Sequence, residues 1–281
     1  MWVWSKLSAR KWLDAWEERF YGNANAVITE LKGGKSLRVE VYCETEAEAE
    51  EVARQFGGRV RELKREDWAE QKVPVGPPLK IRDAFLITQE GDDGKLAELR
   101  AAHPKRQVIS IPAEMAFGTG DHATTSTVLR MLVDDGRKRE AGWRFLDLGT
   151  GSGVLAVAAR HLGAGGMVAL DYDPMAVTVA RRNLERNGVR AEKGREVEVG
   201  EADVTSWAGD GRFAVVAANL FSDVLIATLP RLRPWLEEGA VVFLSGILAT
   251  QWELVRAAAE KEGFAVVKKI QKGKWVSARL E

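Results

Sequence analysis

A glycine-rich segment near the middle of the chain is the first candidate for chemistry. It has the sequence Phe145-Leu-Asp-Leu-Gly-Thr-Gly-Ser-Gly153, in which a short apolar run leads through Asp147 to three glycines at alternate positions. Glycine is favoured where a backbone turns tightly or comes close to a ligand. Residues at the carboxyl end of a parallel strand face the ligand crevice. The segment therefore predicts a ligand-binding loop that contains Gly149, Gly151 and Gly153.

The spacing and charge of this loop discriminate between ligands. A dinucleotide fingerprint is Gly-x-Gly-x-x-Gly, with the pyrophosphate at a helix N-terminus, whereas Val154 stands here where the third glycine should fall. A carboxylate at Asp147 would repel a diphosphate, but it suits a ligand that carries an amino group and a sulfonium. S-adenosylmethionine has both groups, and we expect it to be the cofactor.

Two further aspartates follow later strands. Asp171 ends the apolar run Val168-Ala-Leu, close to the ~20-residue spacing at which an acidic side chain reaches the ribose hydroxyls of a bound nucleoside. The competing role for Asp171, capping the next helix, is better filled by Asp173, which directly precedes Pro174. Asp203 follows the third strand, where we expect it near the adenine; a simple loop aspartate is the alternative.

Two polar motifs flank the glycine loop. Upstream, a segment with two glycines and three threonines contains His122, one of three histidines in the chain. A single histidine without convergent carboxylates or cysteines makes a poor metal site, so we expect no metal and predict a helix cap near Thr124 instead. Downstream, an apolar strand ends at Asn219, whose amide can accept a hydrogen bond from an amine while its NH2 group donates elsewhere. A turn asparagine is the alternative.

The elements that must position these residues fall into three stretches. Residues 1–66 have the order strand, helix, strand, strand, helix, strand, which suits a ferredoxin-like α+β domain. Residues 67–110 form a predicted linker and connecting segment, because they contain several prolines and a Gly-Asp-Asp-Gly stretch typical of an exposed turn at 91–94. Residues 111–281 alternate helix and apolar strand, which predicts an α/β domain with a parallel sheet and helices on both faces.

The individual elements of the third stretch follow from apolar periodicity. The last two strands, at 264–270 and 275–280, are predicted to form a hairpin around Gly273. The other predicted strands lie at 145–148, 167–170, 197–199, 213–218 and 240–244, and the predicted helices at 124–133, 154–162, 174–187, 223–235 and 251–262.

Composition limits the class of protein. The 281 residues are 46% hydrophobic and 29% charged, which is ordinary for a soluble globular protein. The formal net charge of +0 argues against a protein that binds nucleic acid non-specifically over its surface. Cys43 is the only cysteine, and we expect it to be buried and structural. The N-terminus lacks an apolar run long enough for a signal peptide or membrane span, so we expect a cytoplasmic location.

Tryptophans are concentrated at the start of the chain. Trp2, Trp4, Trp12 and Trp16 lie within the first twenty positions. We expect them to pack the core of the small domain. A recognition surface is the alternative, because exposed tryptophans are favoured interface anchors.

Taken in order, the motifs resemble the ribosomal protein L11 methyltransferase (PrmA) family over roughly residues 110 to 280. The most specific part of this resemblance is the Ala-Phe-Gly-Thr-Gly segment, because many methyltransferases share only the glycine loop. The segments that carry the resemblance are Ala116-Phe-Gly-Thr-Gly with His122 and Thr124-Thr125, Asp147-Leu-Gly-Thr-Gly-Ser-Gly-Val-Leu-Ala156, Asp171-Tyr-Asp-Pro174, Ala218-Asn-Leu220 and Ser245-Gly-Ile-Leu248.

The resemblance implies a Rossmann-like class I methyltransferase domain, with a seven-stranded sheet whose last strands are antiparallel, behind a small domain that grips the substrate. It implies a cofactor site made by Thr125, Gly149, Asp171 and Asn219. The implied reaction is methylation of the α-amino group and lysine side chains of ribosomal protein L11, free or on the large subunit. In that reaction we expect Asn219 to orient the amine and Phe117 to wall the methyl channel.

Other functions would leave different marks in the sequence. A lysine methyltransferase acting on another protein would share this core. A nucleic-acid methyltransferase usually has Asn-Pro-Pro-aromatic or Asp-Pro-Pro-aromatic after the fourth strand, whereas Leu220 and Phe221 follow Asn219 here. A nicotinamide dehydrogenase is disfavoured by Val154, and a non-catalytic binding module by the complete ligand motifs.

Overall fold

The computed structural model describes residues 2–20, 25–31, 34–62, 76–112, 122–190, 196–209 and 211–281. The chain divides into two compact units, Met1–Pro74 and Val75–Glu281. Among the helices within these described ranges, none is both long and apolar enough to cross a membrane.

The first unit has the predicted ferredoxin-like order of elements. Its four strands form an antiparallel sheet in the order β2-β3-β1-β4. The elements are β1 (Trp2–Ala9), a 3-10 turn (Arg10–Trp12), α1 (Leu13–Arg19), β2 (Ala26–Glu30), β3 (Ser36–Cys43), α2 (Glu46–Phe56) and β4 (Arg59–Glu62).

An aromatic cluster fills the core of this unit. Trp4 is fully buried, and its ring centroid lies 6.2 Å from that of Trp16 and 6.0 Å from that of Phe56. The expectation that the early tryptophans pack the core is thus confirmed for Trp4 and Trp16. It is wrong for Trp12, which is 54% exposed because it lies in the 3-10 turn outside the sheet. Cys43 is buried as expected, and burial raises the pKa of its thiol.

The second unit begins with a small three-stranded sheet. It contains β5 (Leu79–Ile81), β6 (Phe85–Thr88), α3 (Asp93–Ala102) and β7 (Gln107–Ser110), with β6 in the middle. The prediction of an exposed turn at 91–94 is wrong in part, because α3 begins there. Asp92 caps that helix by accepting a hydrogen bond from the backbone N–H of Lys95 at 3.0 Å. The Asp-Asp-Gly sequence suits a helix N-terminus as well as a turn.

The rest of the second unit is a seven-stranded sheet with helices on both faces, as predicted. Its strand order is β10-β9-β8-β11-β12-β14-β13, with β8 to β12 parallel and β14 antiparallel to both neighbours. The elements are α4 (Ala123–Gly136), β8 (Arg144–Leu148), α5 (Val154–His161), β9 (Gly166–Asp171), α6 (Pro174–Arg186), β10 (Val197–Glu201), β11 (Phe213–Asn219), α7 (Ser222–Leu232), β12 (Leu236–Leu248), α8 (Trp252–Lys261), β13 (Val266–Lys272) and β14 (Trp275–Leu280).

The central strands are buried on both faces, which explains their continuous apolar sequences. Every residue of β11 before Asn219 is buried, and separate apolar clusters lie on the two sides of the sheet. β12 is longer than predicted because Ser245 and Gly246 continue the strand through an irregularity in its pairing with β14. The predicted hairpin around Gly273 is confirmed.

Two features of the sheet matter for function. The strand order runs outward in opposite directions from β8 and β11, so a crevice opens between the carboxyl ends of these two strands. At one edge of the sheet lies β13, which carries Lys268, Lys269 and Lys272 on exposed positions.

Candidate cofactor site

The predicted site residues converge on this crevice. Asp147 lies near the end of β8, Asp171 ends β9 and Asn219 ends β11. The strands are in register, since Asp147 is level with Ala169 on one side and Ala217 on the other. Residues far apart in sequence therefore share one edge of the sheet.

All three loop glycines have a backbone conformation that favours glycine, as the sequence predicted. Gly149, Gly151 and Gly153 have φ of 75°, 53° and 79°, the left-handed region that other residues rarely adopt. A Cβ on Gly149 would lie 2.3 Å from Cδ2 of Leu220, and one on Gly153 would lie 2.8 Å from Cδ1 of Leu184. Glycine is therefore needed at these positions both for the tight turn of the backbone and because the loop packs closely against Leu220 after β11 and Leu184 in α6.

Asp171 holds the loop from the next strand. Its Oδ2 accepts a hydrogen bond from the N–H of Gly151 at 2.8 Å, and its Oδ1 accepts from the N–H of Asp173 at 3.1 Å. Burial raises the pKa of Asp171, although these backbone bonds act in the opposite direction. Asp173 caps α6 as predicted, with Oδ1 2.8 Å from the N of Met175. Each oxygen of Asp171 keeps a lone pair with which it could accept from a ribose hydroxyl.

Asp147 is a buried carboxyl group with spare capacity. It is fully buried, and its Oδ2 accepts a hydrogen bond from Oγ1 of Thr150 at 2.7 Å. In the described part of the chain its Oδ1 has no hydrogen-bond partner. Burial raises the pKa of Asp147 to about 7; the bond from Thr150 lowers it and the charge of Asp171 raises it. An unsatisfied buried carboxyl oxygen is costly, and a cationic group of a ligand would relieve that cost.

Asn219 and Thr125 form the other side of the site. Nδ2 of Asn219 donates to Oγ1 of Thr125 at 3.4 Å, and Thr125 is buried in the first turn of α4. His122 occupies the N-cap position of this helix, and its Nδ1 accepts from the N–H of Thr124 at 3.4 Å. The ring of His122 also lies edge-on to that of Trp275, with centroids 5.2 Å apart. The start of β14 therefore borders the site.

The remaining predicted residues are less well defined. Asp203 lies in an exposed turn after β10, where its Oδ1 accepts from the N–H of Thr205 at 2.9 Å and from its Oγ1 at 2.7 Å. These bonds lower the pKa of Asp203. Its contact with adenine stays a prediction. Phe117 lies outside the described residues, as do both glycines of its motif.

Sequence reasoning missed several side chains around the crevice. Leu220 lies against Gly149, and its backbone oxygen is 2.4 Å from where a Cβ on Gly246 would stand. Tyr172 is 78% exposed beside Asp171, and Phe221 is 43% exposed beside Leu220. The sequence did carry a signal for these side chains, because Leu220 and Phe221 come directly after Asn219 and Tyr172 comes directly after Asp171. Large apolar side chains left exposed at such positions are typical of ligand-binding surfaces.

These residues fit S-adenosylmethionine. Among the described residues Asp147 has a buried carboxyl oxygen with no hydrogen-bond partner, which a cationic group would satisfy, and Asp171 retains acceptor capacity for hydroxyl groups. A pyrophosphate at this loop would lie close to the carboxyl group of Asp147, which would disfavour it. The donor and acceptor set therefore favours a cationic nucleoside over a dinucleotide.

A seven-stranded sheet with this order, a glycine loop after β8 and an aspartate at the end of β9 define a class I methyltransferase, whose cofactor is S-adenosylmethionine. Comparison with known proteins gives the family. The model of the family "Ribosomal protein L11 methyltransferase (PrmA)" matches residues 5–281, and the chain belongs to this family.

Individual relatives agree with this assignment. Over 223 residues the chain is 38% identical to the ribosomal protein L11 methyltransferase of Pelotomaculum thermopropionicum, covering 79% of this chain and 68% of that protein. It is 35% identical to the corresponding protein of Symbiobacterium thermophilum over 78% of this chain and 67% of that one. The crystal structure of a ribosomal protein L11 methylase from Lactobacillus delbrueckii subsp. bulgaricus shares the fold, with a TM-score of 0.59 and 24% identity over 73% of this chain and 98% of that one.

Proposed function

We propose that this enzyme transfers methyl groups from S-adenosylmethionine to the α-amino group and lysine side chains of ribosomal protein L11. The observation that carries the proposal is the family match, because it spans residues 5–281 and so includes both compact units as well as the cofactor loop. Relatives that are 35 to 38% identical bear the name of this activity. Because ribosomal proteins are made and assembled in the cytoplasm, the reaction would take place there.

The chemistry divides between cofactor and protein. Bound S-adenosylmethionine supplies a methyl group that its sulfonium already activates. The protein must present an uncharged amine in line with that methyl group, and such alignment can supply about 7–11 kcal/mol of barrier reduction. An α-amine, with an unperturbed pKa of ~8, loses its proton more readily at neutral pH than a lysine at ~10.4. Removal from water in the crevice favours the uncharged form of both.

Asn219 is the proposed orienting residue. Its Nδ2 is directed to Thr125, which leaves Oδ1 to accept a hydrogen bond from the incoming amine. A hydrogen bond from the amine to Oδ1 would aim the nitrogen lone pair away from the amide, and solvent would take the released proton. Phe117 is proposed to wall the methyl channel, and Asp203 to accept from the adenine amine.

The three stretches seen in the sequence have proposed roles as well. Residues 1–66 would recognise the substrate protein, residues 67–110 would connect, and residues 111–281 would carry the cofactor and catalysis. The implied partner is free L11 or L11 on the large ribosomal subunit, with no stable contact to nucleic acid and none to membrane.

Methyl transfer to defined substrates tests the proposal. The enzyme would be incubated with labelled S-adenosylmethionine and either free L11 or large subunits, and the products read by intact-mass spectrometry and peptide mapping. We expect mass gains in whole methylene steps on L11, on its α-amine and lysines. An N-terminally acetylated L11 separates the two kinds of site. Cofactor binding by calorimetry without any gain on L11 would contradict the substrate assignment and favour another protein or RNA.

A further inference from the structure

A pair of buried hydroxyl groups lies beside the strand that ends at Asn219. Ser245 of β12 and Ser277 of β14 are 0% and 3% exposed, and their Oγ atoms lie 2.7 Å apart, so that one donates a hydrogen bond to the other. In the register of the sheet Asn219 is level with Ser245. Residues at level positions on neighbouring strands share one face of the sheet. Ser245 therefore lies next to Asn219 on the face that carries Thr125, at the edge where the cofactor crevice opens.

The hydroxyl pair lies at a bulge between β12 and β14. The register of this pairing shifts between Leu244 and Ile247. Two residues of β12, Ser245 and Gly246, therefore stand opposite the single residue Ser277 of β14. A bulge interrupts the ladder of backbone hydrogen bonds and is common next to active sites, where it redirects a side chain. The bond between the two hydroxyl groups joins β12 to β14 at the point where the ladder is interrupted.

The bulge in turn supports the peptide group that follows Asn219. The backbone O of Ser245 accepts a hydrogen bond from the N–H of Leu220 at 3.1 Å. Gly246 has a φ of 82°, and a Cβ at this position would overlap the carbonyl group of Leu220. Leu220 is thus bonded to one residue of the bulge and packed against the other. A shift of the bulge would therefore move the end of β11.

The Asn219 amide depends on this support because its side-chain anchor is long. Nδ2 of Asn219 lies 3.4 Å from Oγ1 of Thr125, beyond the usual range of about 2.7–3.2 Å for an N–H···O hydrogen bond. A bond of this length is weak, so the direction of the amide is set largely by the backbone from which it projects. The bulge of β12 fixes that backbone.

We propose that Ser245 and Ser277 are positioning residues, which fix the bulge of β12 and thereby the direction of the Asn219 amide. The inference rests on the proposed function, in which Oδ1 of Asn219 orients the amine for methyl transfer. Neither serine touches the substrate or the cofactor in this account. Both act through the backbone of β12 on the end of β11.

Removal of either hydroxyl group releases the bulge and turns the Asn219 amide away from the amine. A displacement of about 1 Å near reacting groups can cost 100-fold in rate. For the smaller shift in Ser245→Ala and Ser277→Ala we expect kcat on L11 to fall by about 10-fold. The KM for L11 and the Kd for S-adenosylhomocysteine should stay close to the wild-type values, because the hydrogen bond between Asp171 and Gly151 is untouched.

The experiment is a double-mutant cycle between Ser245 and Asn219 in the full-length enzyme. The kcat and KM on L11, the Kd for S-adenosylhomocysteine by calorimetry and the Tm are measured for Ser245→Ala, Asn219→Ala and the variant that carries both. If Ser245 acts through Asn219, its replacement should have no further effect on kcat once the amide is gone. A loss of stability alone would lower kcat equally in both backgrounds.

A second variant and a control keep the test independent of folding. Replacing both partners of a hydrogen bond by apolar groups can be nearly neutral for stability, so Ser245→Ala combined with Ser277→Ala provides the test if a single variant does not fold. Thr228→Val is the matched control, because Thr228 is buried in α7 and its Oγ1 donates to the backbone O of Val224 at 2.7 Å. It loses a buried hydroxyl group away from Asn219, and we expect its kcat to equal that of the wild type.

A fall in kcat in Ser245→Ala that is absent in the Asn219→Ala background would support the proposal. Wild-type kcat in the serine variants, or an equal fall in both backgrounds, would overturn it. The proposed function is tested separately by the wild-type enzyme. If that enzyme binds the cofactor and methylates L11 while the serine variants behave like Thr228→Val, only the positioning role fails.

Discussion

Asn219 donates from Nδ2 to Oγ1 of Thr125 at 3.4 Å, which joins the end of β11 to the first turn of α4 across 94 positions of sequence. The bond fixes which end of the amide faces outward. The bond therefore holds a predicted cofactor residue, Thr125, next to the predicted catalytic residue Asn219.

This relationship gives the first prediction. Asn219→Ala removes the acceptor proposed to orient the amine, and we expect kcat on L11 to fall by about 100-fold, the loss typical of a misaligned reacting group. Thr125→Val leaves Oδ1 of Asn219 in place but removes its anchor, so a smaller loss is expected. Single-turnover methyl transfer at saturating cofactor measures both. A full transfer rate in Asn219→Ala would show that the amide does not orient the substrate.

The second prediction separates crowding from backbone strain in the glycine loop. Gly149 and Gly188 have nearly the same φ, 75° and 78°, but a Cβ on Gly149 meets Leu220 at 2.3 Å whereas one on Gly188 meets nothing. We expect Gly188→Ala to lower stability by about 1–2 kcal/mol with cofactor affinity intact. Gly149→Ala should lose affinity for S-adenosylhomocysteine as well.

Calorimetry and urea unfolding of the two alanine variants check this prediction. The double variant Gly149→Ala with Leu220→Ala removes the crowded side chain, so part of the affinity should return. Equal cofactor affinity in Gly149→Ala and Gly188→Ala would mean that contact with Leu220 does not matter.

The third prediction concerns Asp171, whose two oxygens accept from Gly151 and Asp173. In Asp171→Asn one of these oxygens becomes an NH2 group, which cannot accept. We expect Kd for S-adenosylhomocysteine to rise by about 10-fold or more, since bonds to charged groups contribute about 1.5–3 kcal/mol. Asp173→Asn is the control, because asparagine caps helices as well as aspartate does. Equal binding by both variants would exclude a role for the Asp171 charge.

The fourth prediction is a dependence of stability on pH. Burial raises the folded pKa of Asp147 to about 7, above an unfolded value of ~3.9. The folded state therefore holds the proton more tightly, so stability is greatest below the unfolded pKa and is lost as pH rises through the folded one. We expect Asp147→Asn to remove this loss, and its Tm relative to wild type to increase between about pH 4 and pH 7.

Thermal unfolding in a pH series, followed by tryptophan fluorescence without cofactor, measures this difference. Asp203→Asn is a suitable control, because hydrogen bonds from Thr205 lower the pKa of that exposed aspartate. Its effect has the opposite sign, since the stability from Asp203 is present above its unfolded pKa and lost as pH falls. A pH-independent Tm difference for Asp147→Asn would contradict burial of an ionisable group at this position.

Sequence patterns predicted the sheet because its strands are apolar runs that alternate with periodic helices. They also predicted that Asp147, Asp171 and Asn219 share one edge, since each ends a parallel strand. Element ends were less accurate, as in β12, where polar residues lie inside a buried strand.

Long-range packing could not be predicted in this way. The bonds between Asn187 and Ser110 span 77 positions, and no local pattern indicates that a helix-ending asparagine will pair with a strand. The contact between Leu220 and Gly149 depends in the same way on two strands meeting. α3 was missed because its first residues favour a turn and a helix start equally.

The lysines of β13 have a consequence beyond this molecule. An outermost strand offers unpaired backbone groups to any other strand, which is how sheets of separate molecules join and aggregate. If two copies met along β13, Lys268, Lys269 and Lys272 of each would be brought close to those of the other. Mutual repulsion of these ammonium groups opposes such pairing, so the lysines of this edge strand also help to keep copies of the enzyme apart.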